Sequence, residues 1–194
     1  FSSSVAKGTI SISSKTGMIN DYCIQYNYSI INIPSGLQPR CALGYISSMI
    51  ILILVRLNLV NSSRKIKSDL KQSVSELNDI NKSLNNSNNQ ILSMSHRLRN
   101  TIPIIYGSEN FTSIAALRFK NQLQENAKML SFSNNFPEIN HNEIESWNKS
   151  NSTFFIIWLL DPLSDKKVTQ TIDSAYKLIN DLGINQEIIY LKDN

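Results

Sequence analysis

The segment Phe154-Phe155-Ile156-Ile157-Trp158-Leu159-Leu160 is apolar at every position. A β-strand sends successive side chains to opposite faces of its sheet, so such a run needs apolar cover on both sides. That requirement excludes an open antiparallel sheet with one wet face and points to a parallel sheet between two helical layers. Asp161-Pro162 ends the run, which is read as a strand from Thr153 to Leu160. A helix is expected from Lys166 to Leu182, with Gly183 as its cap, and a further strand from Glu187 to Leu191.

The rest of the chain repeats this alternation. A strand-like Thr9–Ile12 leads into a turn at Ser13–Gly17, a short helix from Met18 to Tyr26 and a strand from Ser29 to Ile33. Phe1 to Lys7 reads as the tail of an element. Pro34-Ser35-Gly36 and Pro39 enclose a rigid loop that delivers Arg40 ahead of a helix from about Ala42 to Leu59. Ser63 to Arg99 reads as one polar helix or a pair, with Ile66, Leu70, Val74, Leu77, Ile80 and Leu84 at helical spacing and an interruption at Asn85–Asn89. Thr101–Tyr106 is expected to be a buried strand running into Gly107-Ser108. Strand, Gly/Ser turn and helix in succession form the usual anion-binding arrangement of α/β proteins. The next helix, Thr112 to about Met129, places Ala116, Phe119, Leu123, Ala127 and Leu130 on one side. Arg118, Asn121, Glu125 and Lys128 mark another. A short strand, Leu130–Ser133, follows. Parallel α/β layers are the fold class these elements imply.

Composition narrows the function classes. A chain of 194 residues with 41% hydrophobic content can build a sizeable core. The net charge of +4 is dispersed, since Arg64, Lys65 and Lys67 are answered by Asp69, Glu76 and Asp79, and no nucleic-acid groove is implied. Cys23 and Cys41 have no metal-ligand spacing and are read as buried free thiols in a reducing, cytoplasmic compartment. The apolar stretch from Met49 to Val60 is interrupted by Arg56 and is too short for a membrane span, so a buried helix is expected.

One segment stands out for chemistry. Phe136-Pro137-Glu138-Ile139-Asn140-His141-Asn142-Glu143-Ile144 holds one of only two histidines beside two carboxylates, anchored by Phe136, Ile139 and Ile144. Imidazole titrates nearest neutrality, which suits proton transfer. The plain alternative is a loop histidine with no special task. His96, between Ser95 and Arg97 in a helix, is read as structural or exposed.

Four blocks resemble a known family: Gly36-Leu37-Gln38-Pro39-Arg40, Ile102-Pro103-Ile104-Ile105-Tyr106-Gly107-Ser108, Gln124-Glu125-Asn126-Ala127-Lys128 and the histidine segment. In order and spacing they are similar to the bifunctional phosphoglucose/phosphomannose isomerases, proteins of two sugar-isomerase (SIS) domains. The resemblance implies flavodoxin-like three-layer α/β/α domains and a homodimer with a shared active site. It also implies cofactor-free, metal-free conversion of glucose 6-phosphate or mannose 6-phosphate to fructose 6-phosphate. By the same resemblance Glu125 is the base between C1 and C2, and His141, supplied by the neighbouring subunit, opens the sugar ring. Arg40 faces the developing enediolate; its competing reading is a surface residue at a helix start. Gly107, Ser108 and Ser14, in the Ser13–Gly17 turn, are the expected substrate-binding residues. Glu138 and Glu143 are expected to steady the histidine ring or cap local backbone, and Lys128 and Arg118 to hold Glu125 ionised.

Two family features have no counterpart. The serine/threonine-rich phosphate loop is missing, as Ser2–Ser4 lack its glycine and carboxylates, and Lys192 does not occupy the context of the family's terminal catalytic lysine. Residues 1–62 are therefore expected to be the latter part of a first SIS domain with a linking helix, and residues 63–194 a second SIS domain without its last segment. The alternative is a non-catalytic phosphosugar-binding SIS protein or an inactive fragment.

Overall fold

The computed structural model describes residues 8–61, 63–84, 90–108, 111–149 and 153–191. The readings of Phe1–Lys7, Ser2–Ser4, Asn85–Asn89 and Lys192 fall outside these residues. The chain divides into two compact units, residues 1–83 and 84–194.

In the first unit, β1 (Ile10–Ser14) leads through the Ser14–Gly17 turn into α1 (Met18–Gln25), and the chain returns as β2 (Ser29–Ile33). The two strands pair in parallel, Ile10 opposite Ser29 and Ser14 opposite Ile33. Gly17 has φ 118° between strand and helix, a backbone conformation that disfavours side chains with a Cβ. A 3-10 turn at Pro39–Cys41 precedes α2 (Leu43–Arg56), and α3 (Ser63–Leu84) follows. Two expectations need correction here. No residue of α2 is fully buried, although the helix is rich in apolar residues: residues 47–49 and 51–55 are half-buried, and the element the helix packs on most is the short 3-10 turn before it. Cys41 is free but exposed, since it ends the 3-10 turn, whereas Cys23 is buried on the inner face of α1. The apolar stripe of α3 forms as expected, yet Val74, Leu77, Ile80 and Leu84 on it are exposed.

The second unit is a parallel four-stranded sheet between helices. Its elements are α4 (Gln90–Leu98), β3 (Ile102–Ser108), α5 (Phe111–Gln122), β4 (Phe132–Phe136), α6 (Glu143–Ser146), β5 (Phe154–Leu160), α7 (Lys166–Asp181) and β6 (Asn185–Tyr190). Strand order is β4-β3-β5-β6, so the chain moves outward from β3 to β4 and then crosses back to β5. Gly107 lies opposite Leu159 on one side and Asn135 on the other. Alternation along the two central strands separates two apolar cores. Ile105, Phe155, Ile157 and Leu159 pack with Met94, Leu98 and Ala116 on one face. Ile104, Tyr106, Ile156, Trp158 and Leu160 pack with Ile172, Ala175 and Ile179 on the other. Phe155, Ile156, Ile157 and Trp158 are each at most 1% exposed, and burying each such side chain stabilises the fold by about 1.5–3 kcal/mol. The result is the three-layer, flavodoxin-like α/β/α sandwich that the apolar strand required.

Polar groups inside this sandwich are paired. The Trp158 indole donates to Gln186 Oε1 at 2.9 Å, and Gln186 Nε2 donates to the Tyr176 carbonyl at 2.9 Å, so one glutamine ties β5, β6 and α7 together. Asp165 caps α7 by accepting from the Lys167 amide, and Gly183 closes the helix with φ 74°. Among the described residues, no helix is long and apolar enough to cross a membrane.

Candidate active site

Each sequence-predicted residue has a definite place in its own unit. Ser14 ends β1, and its hydroxyl donates to the Thr16 carbonyl at 2.9 Å, holding the turn that starts α1. Beside it, Lys15, Asn32, Ile33, Pro34 and Ser35 line a cleft of about 450 Å³ at the carboxyl ends of β1 and β2. Lys15, Asn32 and Ser35 were not legible as site residues. Their only signal in the sequence is that they follow or end predicted strands. Arg40 lies half-buried in the 3-10 turn, after a loop in which Gly36 takes φ 85°.

In the second unit, Gly107 and Ser108 end β3 where strand order reverses, the customary ligand position of open α/β sheets. The structure adds a packing reason for the glycine. A Cβ on Gly107 would meet the Thr112 carbonyl oxygen at 2.4 Å, so α5 starts directly against the strand. Ser108 is buried, its amide donates to Thr112 Oγ1 at 2.7 Å, and the two hydroxyls share a 2.7 Å hydrogen bond. A cleft of about 280 Å³ opens nearby between Ser113, Ile114 and Leu117 of α5 and Ser133, Asn134 and Asn135 of β4.

Glu125 is exposed on a π-turn, Leu123–Ala127, that continues α5 past Gln122. This corrects the expected continuous helix to Met129. The wider turn breaks the 3.6-residue period, so Ala116, Phe119 and Leu123 keep the apolar side while Ala127 and Leu130 are exposed. Lys128 caps the turn in the left-handed region, φ 56°, and its ammonium donates to the Glu125 main-chain carbonyl at 2.8 Å. The strand expected at Leu130–Ser133 starts two residues later, at Phe132.

His141 is exposed at the end of a 3-10 turn, Glu138–His141, rather than in an irregular loop. Phe136 and Ile139 are buried beneath it, and Ile144 packs against the same core, as the segment's pattern implied. The hydrogen bonds of the two neighbouring carboxylates go elsewhere than the ring. Glu143 accepts from the Tyr106 hydroxyl at 2.6 Å and from Asn134 Nδ2 at 2.7 Å, and Glu138 accepts from Asn142 Nδ2 at 3.3 Å. Trp147 Nε1 donates to the Tyr106 oxygen at 3.1 Å. Burial, reinforced by the hydrogen bond from Tyr106 to Glu143 and that carboxylate's charge, raises the Tyr106 phenol far above its ordinary range.

Glu125 thus precedes β4 and His141 follows it. The strand between them, five residues long, spans about 13 Å from first to last Cα at 3.3 Å per residue. Among the described residues, no three His, Cys, Asp or Glu side chains are grouped to hold a metal ion.

Comparison with known proteins places the chain in a family. Residues 87–194 match the family described as bacterial phospho-glucose isomerase C-terminal SIS domain. The bifunctional phosphoglucose/phosphomannose isomerase of Caldicellulosiruptor bescii is 32% identical over 190 residues, covering 93% of this chain and 55% of that protein. Its namesake from Thermoplasma acidophilum is 38% identical over 113 residues, covering 58% of this chain and 33% of that protein. The chain therefore spans about half the length of the first relative and a third of the second. Among solved structures, the C-terminal domain of glucosamine-fructose-6-phosphate aminotransferase from Francisella tularensis superposes with a TM-score of 0.58 at 12% identity. It covers 93% of this chain and 57% of that one, a likeness of fold. The chain belongs to the SIS-domain family of bifunctional phosphoglucose/phosphomannose isomerases.

Proposed function

We propose that the protein interconverts an aldose 6-phosphate, glucose 6-phosphate or mannose 6-phosphate, with fructose 6-phosphate. The observation that carries this reading is the presentation of Glu125, solvent-accessible on a π-turn at the end of a packed helix, in a chain of this family. Single π-turns in helices occur frequently at functional sites, and a carboxylate on a packed element is held better than one on a loop.

The chemistry follows from the assigned groups. His141 serves as the acid/base that opens the ring. Glu125 takes the proton from C2 of the open-chain aldose, and the electron pair of the broken C–H bond forms the C1–C2 double bond while the carbonyl electrons move to O1. The cis-enediolate then collects the proton back at C1, O2 becomes the carbonyl oxygen, and the proton lost from O2 is recovered at O1. The Arg40 guanidinium stabilises the negative charge that builds on these oxygens. Ser14, with Lys15 in the adjoining cleft, is assigned to the phosphate end, where a cation and a hydroxyl favour an anion. Gly107 and Ser108 form the wall at the switch point of the second sheet.

The separation of Glu125 and His141 by the length of β4 supports their belonging to two different active sites of a dimer. The test is Glu125→Gln in the whole protein. Turnover should fall by about 10²- to 10⁴-fold while a five-carbon phosphorylated acid that mimics the enediolate still binds. Normal turnover by that variant refutes the assignment. Ligand-dependent thermal stabilisation with no product from the unmodified protein would instead identify a phosphosugar-binding protein.

A further inference from the structure

Resting on the reading of Glu125 as the base, we infer that Gln124 and Ser131 are positioning residues that fix the π-turn and so aim the Glu125 carboxylate. Adjacent residues of a helical turn do not face the same way. Gln124 is half-buried and its Nε2 donates to the Ser131 carbonyl at 2.8 Å, whereas Glu125, next in sequence, is exposed. The pair divides the work: one side chain anchors the turn to the chain entering β4, and the other is presented outward.

Ser131 closes the same clasp from below. It is 0% exposed, and its hydroxyl donates to the Lys120 carbonyl at 3.2 Å. Lys120 lies at the point where α5 gives way to the wider hydrogen-bonding register of Leu123–Ala127, a change that redistributes carbonyl partners at the junction. The Met129 amide, donating to the Leu123 carbonyl at 3.2 Å, and the left-handed Lys128 complete the reversal into β4. Three successive attachments thus join the turn to the segment leading into the strand: Gln124 to Ser131, Ser131 to Lys120, and Met129 to Leu123. Lys128 adds a fourth bond within the turn itself, to the Glu125 carbonyl. Loss of the clasp lets the helix end relax toward α-helical winding, which rotates Glu125 about the helix axis. A misplacement of about 1 Å at a reacting group is enough to lower a rate by about 10²-fold.

The experiment compares Gln124→Met, which keeps length and removes the donor, with Ser131→Ala and Glu125→Gln in the whole protein. Glucose 6-phosphate carrying deuterium at C2 is the substrate. For Gln124→Met and Ser131→Ala the expected result is a kcat lower by up to about 10²-fold, a KM within about twofold of the unmodified protein, and a larger primary isotope effect on kcat as proton transfer becomes limiting. A lowered melting temperature with kcat and isotope effect unchanged assigns the clasp a purely structural role and overturns the inference. Should Ser131→Ala fail to fold, Gln124→Met alone decides. Glu125→Gln inactive with both other variants at full rate defeats the positioning inference and leaves the base assignment standing. Glu125→Gln fully active, or no turnover by the unmodified protein, defeats both.

Discussion

The Tyr106 hydroxyl, on the second strand of the four-stranded sheet, reaches Glu143 Oε1 at 2.6 Å across 37 residues of chain. Glu143 follows His141 by two positions, so this bond ties the histidine turn to the sheet. Hydrogen bonds to charged groups contribute about 1.5–3 kcal/mol, more than neutral pairs do. Tyr106→Phe, which leaves the ring packed against Phe136 and Trp158, should therefore lower unfolding stability by about that amount in urea titration. A variant as stable as the unmodified protein would show that Asn134 alone satisfies the carboxylate.

The same phenol makes stability sensitive to alkali. Its folded-state pKa is raised, by burial first and by Glu143 second, above the value near 10 of an unfolded tyrosine. Below pH 10 both states keep the proton and the contribution is fully present. Above pH 10 the unfolded chain releases it while the folded chain retains it, so the unfolded state binds fewer protons and stability falls as pH rises. Denaturation midpoints followed from pH 9 upward should decline more steeply for the unmodified protein than for Tyr106→Phe. Parallel declines would assign the alkaline loss to other groups.

Gly107 and Thr112 set how closely α5 approaches β3. With a Cβ placed 2.4 Å from a backbone oxygen, Gly107→Ala must displace the helix start, and overpacking of this kind costs about 1–3 kcal/mol. Thr112→Val acts differently, stranding the buried Ser108 amide and hydroxyl at a cost of about 1–3 kcal/mol. Thr112→Ser keeps the oxygen and should recover most of that loss. Thermal melts of the three variants separate steric from hydrogen-bonding effects, and equal losses for Val and Ser would rule out the hydroxyl.

The fold was readable where a single physical demand governed many residues. Seven apolar positions in β5 required two covered faces, and helix α7 announced its end through Gly183. Reading became unreliable where a local pattern met a distant partner. The helical period of the side chains runs on through Ala127 and Leu130, but Ser131 and Gln124 bond across the helix end and a π-turn replaces the last α-helical turns. Glu143 looked like a partner for His141 because they are close in sequence. The residue that claims its carboxylate is a tyrosine on the central sheet, which no local spacing reveals. Likewise α2 reads as a core helix from its side chains alone, and only the surrounding elements determine that it is no more than half-buried. The four family blocks single out Glu125, His141 and Arg40 as candidates, while Lys15 and its cleft become visible only through the pairing of β1 with β2.

The placement of Glu125 ahead of β4 and His141 beyond it makes a sharper prediction than either residue does alone. If one site needs both, and the proposed dimer supplies each from a different chain, two inactive variants can complement each other. A heterodimer of Glu125→Gln with His141→Ala carries both defects in one site and neither in the other. Random reassociation makes about half the dimers mixed, with one working site of two, so activity should recover to about a quarter of the unmodified level. Each variant alone should stay near background after the same dissociation and remixing. Recovery to that level places the two residues in trans. A mixture as inactive as its parents would place them in one chain's site, and a π-turn and a 3-10 turn at opposite ends of β4 would then have to converge by a rearrangement of the second unit.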